Sequence, residues 1–239
     1  MNKISLLSLL TVLAISTGAK ANVENPLYTP GEGKIYSKTE AGYTDKDWRF
    51  IQKVGYGITD KFNIAGSVDY WATADDDEYN YEGENTFSTF KLDAGYRVID
   101  GNVKTDLYAN YETDIDEDFA GDFDAYGAGL KVGTVNDKYT VAGKLGYQYI
   151  DVKDEEIDSH NFVIGAEGLY QFDDRVSGQL GVEYTLVDEI GFIAGEEDTV
   201  QLRAQVNYNK GGLWSIFYTT ELKADDVEDT VGLKYGIQF

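Results

Sequence analysis

No cysteine stands in the 239-residue chain, so neither a disulfide nor a thiolate metal centre can be built from it. Proline occurs only as Pro26 and Pro30, and both fall in residues 22–33, a stretch without regular alternation. Basic side chains are scarce: Lys and Arg number 20 against 43 Asp and Glu, for a formal net charge of −23. With no basic patch to meet phosphates, the composition argues against nucleic acid as a partner. Histidine appears once, as His160. Long apolar runs are missing as well, and the best of them, Leu6–Ile15, falls well short of the roughly 20 residues that a spanning helix needs.

That short run reads instead as the core of a secretory signal peptide. Lys3 supplies the positive start and Ala19-Lys20-Ala21 the small-x-small site, so residues 1–21 are expected to be removed by cleavage after Ala21. Residues 22–33 follow as a periplasmic lead-in. Residues 34–239 then make one all-β domain, because apolar and polar residues alternate with the period of two of an extended strand. Turn-forming residues cut this pattern into twelve strands: 34–43, 48–58, 62–73, 86–98, 103–113, 123–134, 139–150, 161–172, 176–187, 199–208, 213–223 and 229–239. The last is the clearest. Val231, Leu233, Tyr235, Ile237 and Phe239 share one face, and Thr230, Gly232, Lys234, Gly236 and Gln238 share the other. The first two are the poorest, since Ser37, Thr39 and Gln52 fall on the nominally oily face, where a bulge or a slipped register is expected.

Connections alternate in length. Tight turns at 59–61, 100–102, 135–138, 173–175 and 209–212 alternate with longer segments at 74–85, 114–122, 151–160, 188–198 and 224–228, and the first outer connection, 44–47, is short. Aromatic residues such as Trp48, Tyr96, Tyr139, Tyr170 and Trp214 gather near strand ends. The terminal strand, with Tyr235, Ile237 and Phe239 on its oily face, resembles the closing strand of bacterial outer-membrane β-barrels. The resemblance implies a transmembrane antiparallel up-and-down barrel of about 12 strands in the outer membrane, reached after export. It also implies that Tyr235, Ile237 and Phe239 form part of the signal read by the barrel-assembly machinery, and that lipid and lipopolysaccharide surround the product. A mean hydropathy of −0.38 is no objection, because alternation makes half of every strand polar. A lipocalin-like barrel or β-sandwich, its apolar faces turned inward, is the soluble alternative.

If the oily faces look outward, the polar ones line a lumen. Its charged candidates include Lys53, Asp69, Lys91, Asp93, Arg97, Lys104, Asp106, Lys131, Lys144, Glu167, Glu183, Arg203 and Lys234, with the two signs nearly balanced. Most of the surplus negative charge therefore belongs to the outer loops. Strand number and length resemble the small twelve-stranded porins for acidic oligosaccharides, in architecture only. That family lines its pore with basic tracks, whereas here the cations are interspersed with carboxylates. The expected function is a passive, porin-like, cation-preferring channel for small hydrophilic solutes. A non-conducting structural or surface-interaction barrel is the alternative. A hydrolase of the barrel-enzyme type at the rim would have to rely on His160, beside Asp158 and Ser159. No cofactor is expected. Asp75, Asp77, Asp114, Asp116 and Asp118 alternate as oxygen ligands for loosely held Ca²⁺ or Mg²⁺ often do, but Phe119 stands where an EF-hand loop requires glycine.

Overall fold

In the computed structural model, the described residues are 22–44, 47–73, 86–116, 122–153, 157–190, 198–223 and 226–239. They form twelve strands: β1 (Ile35–Thr44), β2 (Asp47–Gly57), β3 (Phe62–Thr73), β4 (Thr86–Asp100), β5 (Val103–Asp114), β6 (Phe123–Val135), β7 (Tyr139–Val152), β8 (Ile157–Gln171), β9 (Val176–Ile190), β10 (Thr199–Asn209), β11 (Leu213–Leu222) and β12 (Val227–Gln238). Each strand pairs antiparallel with its sequence neighbours, and β1 pairs with β12 to close the barrel. Closure satisfies every ladder without leaving an edge, which hydrocarbon cannot solvate.

The face on which each apolar residue lies follows from the alternation. Leu92, Leu107, Leu202 and Ile216 are 47, 48, 41 and 63% exposed, far too open for the core of a water-soluble sheet. Leu107, Leu130, Leu145 and Ile164 stand opposite one another across β5 to β8, a continuous outward row. Rings bound this apolar band at both ends, with Trp214 against Tyr235 at 4.5 Å and Tyr111 against Tyr126 at 5.3 Å.

Three expectations are revised. Strand β7 runs to Val152 rather than 150 and β8 begins at Ile157 rather than 161, so the connection expected at 151–160 shortens to 153–156; β9 likewise runs to Ile190 rather than 187. Asp158, Ser159 and His160 are polar on both faces of the strand, so the oily and polar alternation disappears there and the stretch passes for loop. Strands β1 and β2 hold an unbroken register. Their outward polar residues satisfy one another instead: Thr39 donates to Gln52 Oε1 at 2.7 Å and Gln52 donates to Ser37 Oγ at 3.0 Å. The irregularities lie in β4, opposite Val68–Tyr70 and between Arg97 and Ile99. The second places both Val98 and Ile99 on the outside, 46 and 52% exposed. The third revision concerns residues 22–33, expected as a periplasmic lead-in, which pack inside the barrel.

Candidate functional site

Inward-facing charges identify themselves by chords that skip strands, since such contacts can only run through the lumen. Lys53 on β2 reaches Asp93 on β4 at 2.5 Å, and Lys144 on β7 reaches Glu183 on β9 at 2.8 Å. Arg203 on β10 reaches Glu40 on β1 at 3.8 Å, over two intervening strands. Neighbouring strands add Arg49–Asp69 at 2.5 Å, Lys91–Glu112 at 3.0 Å, Arg97–Asp106 at 2.7 Å and Lys234–Glu40 at 2.6 Å, while Lys104 pairs with Asp100. Lys131 stands opposite Lys144 and Asp106, and Glu167 opposite Ala142, on the same inner face. The lumen is therefore a mixed-charge wall in which pairing offsets the cost of confining each ion.

Residues 22–33 cross the bore. Their partners are spaced around the circumference: Glu24 pairs with Lys38 on β1 at 3.2 Å, and the Leu27 carbonyl accepts from Arg97 on β4 at 2.6 Å. Asn25 donates to Thr140 on β7 at 2.8 Å, and Gln205 on β10 donates to Glu24 at 3.3 Å. Every third strand of the ring thus contacts the segment, so it spans the lumen rather than lining one wall. Val23 and Leu27 are fully buried, and Val23 packs with Tyr36, Ala65 and Leu213 in a small apolar cluster that Tyr28 joins. The wall is cut to receive it: a Cβ at Gly57 would strike the Gly31 carbonyl, and one at Gly236 would strike Val23. All these contacts lie toward the short-turn end, which faces the periplasm in outer-membrane barrels.

Glu24 carries the electrostatics of this seal. Burial alone would raise its carboxyl, but Lys38, Lys234 and the amide of Gln205 outweigh that and hold it down at about 2. Beneath it lies a neutral cluster in which Ser215 and Gln205 both donate to Asn207 Oδ1, at 2.7 and 2.6 Å. Phe217 also faces inward, 2% exposed, with Lys234 Nζ 4.7 Å and the Arg203 guanidinium 5.5 Å from its ring. It breaks the oily-out rule of β11, as Tyr36 does in β1 and Tyr108, under Lys144, in β5, and such inward aromatics are the visible signal of a constriction. Above the segment, a cavity of about 90 Å³ is bounded by Pro26, Lys131, Lys144, Glu167, Gln179, Glu183 and Arg203.

The remaining candidates are placed as follows. Asp75, Asp77 and Asp118 lie outside the described residues; Asp114 accepts from the Phe123 amide at 3.2 Å and Asp116 from the Thr86 hydroxyl. Among the described residues no group of carboxylates or imidazole is arranged to hold a metal ion. His160 faces outward, its Nδ1 2.5 Å from the Tyr147 hydroxyl, whereas Ser159 is buried inside and donates to Asn161 at 3.0 Å. Adjacent strand residues point to opposite faces, so Ser159 and His160 form no dyad. Phe239 extends the β1–β12 seam, its amide donating to Ile35 at 2.7 Å; Tyr235 packs on Trp214 and donates to the Gly211 carbonyl at 3.0 Å, and Ile237 stands opposite Ser37.

The model of the outer membrane protein beta-barrel domain matches residues 5–167. The chain belongs to this family. As a family member with a closed, outward-apolar barrel, the protein resides in the bacterial outer membrane. No curated protein matches it in sequence. Among solved structures it is similar to the COG4313 outer membrane channel from Pseudomonas putida F1, with a TM-score of 0.67 and 12% identity over 93% of this chain and 100% of that one. A NanC porin aligns with a TM-score of 0.64 at 9% identity, covering 83% of this chain and 98% of its own. The KdgM porin in complex with disordered oligogalacturonate aligns with a TM-score of 0.58 at 11% identity, covering 84% and 98%. At such identities the likeness is one of fold.

Proposed function

We propose that the protein is a passive channel for small hydrophilic solutes that prefers cations. The observation that carries this reading is the inner wall itself: charged, amide and hydroxyl side chains face one another across a bore, while apolar side chains face lipid. Ion pairing consumes nearly every luminal cation, so no basic track is left over for an acidic polymer. At the long-loop end the sequence sets carboxylates at Asp75 to Glu78, between β3 and β4, and at Asp225 to Glu228 before and within β12. Such a mouth concentrates cations through a field that fades within about 8 Å at physiological salt. Signal-peptide export, insertion by the barrel-assembly machinery, contact with lipopolysaccharide and loose Ca²⁺ or Mg²⁺ at the loops belong to the same reading.

One observation favours a second reading, a closed structural barrel: residues 22–33 traverse the lumen. The reversal potential in asymmetric KCl, across a bilayer holding the protein, separates the two. A cation-selective reversal that weakens in Asp75→Asn/Asp76→Asn/Asp77→Asn supports the channel. Absence of conductance, or anion selectivity set by Lys91, Arg97 and Arg203, overturns it.

A further inference from the structure

The cavity above Pro26 contains charges that the rest of the lumen does not leave unpaired. Lys38, Arg49, Lys53, Lys91, Arg97, Lys144, Arg203 and Lys234 each have a carboxylate oxygen within 3.8 Å, and Lys104 is paired with Asp100. Lys131 alone among the described luminal cations has neither an ion pair nor a hydrogen bond. It stands between like-charged Lys144 on β7 and Asp106 on β5, and that carboxylate is already held by Arg97 at 2.7 Å. On the same wall, with only β7 between them, Glu167 lies within the electrostatic reach of Lys131 but forms no ion pair with it; among the described residues it accepts only from Gln179 Nε2, at 3.1 Å. Gln179 is 7% exposed, and its Oε1 accepts from no donor among the described residues. A buried carbonyl without a donor is costly, so it is an unusual group to leave idle in a folded wall.

The donor and acceptor inventory describes what fits. Lys131 offers N–H donors and no acceptor; Glu167 and Gln179 Oε1 offer acceptors and no donor. A molecule that satisfies Lys131 on one side and Glu167 with Gln179 on the other presents a carboxylate at one end and an ammonium at the other. About 90 Å³ admits roughly three waters or one small molecule of a few heavy atoms. Glycine residues 165 and 181 in the wall leave that room free of side chains. We propose that this cavity is a binding site for a small α-amino acid zwitterion, its carboxylate on Lys131 and its ammonium on Glu167 and Gln179. The site deepens the channel reading by naming a solute class, and rests on it for its biological use though not for its existence. A small anion would leave Glu167 and Gln179 unserved, and a polyol would leave both charges uncompensated.

The test is saturation-transfer NMR on the refolded protein in detergent, with L-alanine as probe. Two matched controls each lack one end: lactate has no ammonium and 1-amino-2-propanol has no carboxylate. Alanine is expected to bind about tenfold more tightly than either, as the loss of one charged hydrogen bond implies. Lys131→Met and Glu167→Gln should each weaken alanine by about the same factor, and Lys131→Arg should retain it. Gln179→Met, which leaves every charge in place, should weaken it less and serves where a charge variant fails to fold. Equal binding of lactate, an alanine signal indifferent to Lys131→Met, or no alanine signal at all overturns the proposal. KCl conductance of the same preparation keeps the two ideas apart: a conducting barrel that ignores alanine removes only this site, and a barrel that binds alanine without conducting removes only the channel.

Discussion

Glu24 is the residue whose chemistry has the widest reach, because one carboxylate ties residues 22–33 to β1, β10 and the field of β12. Its carboxyl is held at about 2 when docked, against 4.5 for a free glutamate, a difference on the order of 3 kcal/mol in favour of the docked, ionised form. A depressed carboxylate contributes fully above its free value and loses that contribution as pH falls toward the docked one. Single-channel current should therefore stay level from pH 7 to 5 and change only as pH drops from 4.5 toward 2. Glu24→Gln should show the low-pH current already at neutral pH, with this pH step absent. A wild-type current that steps near pH 6 would assign the control to another group. Nothing in the sequence around Glu24 announces this role, since its partners Lys38, Gln205 and Lys234 arrive from β1, β10 and β12.

At the scale of an element, residues 22–33 and the barrel are separable in their energetics. The twelve strands close through their own ladders, and the segment adds one small apolar cluster and a handful of polar contacts. Deleting 22–33 should leave the barrel folded, as read by heat-modifiable gel mobility, and raise single-channel conductance severalfold. Gly236→Leu should do much the same with the segment present, because its side chain would occupy the place of Val23. Unchanged conductance in both variants would show that the segment does not limit flow. Prolines at 26 and 30 and the missing alternation correctly set these residues apart from the strands. They carry no information on side, inside or below, since an irregular segment is equally stable in either place until its partners are known.

For the whole molecule, the balance is between an apolar exterior in lipid and a paired polar interior. Leu145 lies between the Tyr139 and Tyr149 rings of β7, near the middle of the apolar band, and Val103 lies at the end of β5. Leu145→Arg should lower unfolding stability in lipid by about 2–4 kcal/mol and Val103→Arg by about 1 kcal/mol or less. Denaturant titration of the refolded barrel reads both. Equal costs at the two depths would mean that the band is not centred on the hydrocarbon.

Alternation determined most of this architecture from the sequence alone, because in a strand the side of each residue is decided by parity, and parity is a local property. Twelve segments, their faces, the outward Leu92, Leu107, Leu202 and Ile216, and the luminal positions of Lys53, Asp93, Arg203 and their companions all follow from counting by two. The pattern failed where its physical cause fails. At Asp158, Ser159 and His160 both faces of the strand carry polar residues, and in β4 extra residues reset the parity at two bulges. Tertiary structure alone decided which charges meet. Lys53 with Asp93, Arg203 with Glu40, Glu24 with Lys38, and Lys131 with no ion pair among the described residues depend on barrel curvature and on which strands a chord can skip. Distances through the lumen are set by closure, and closure is a property of all twelve strands at once.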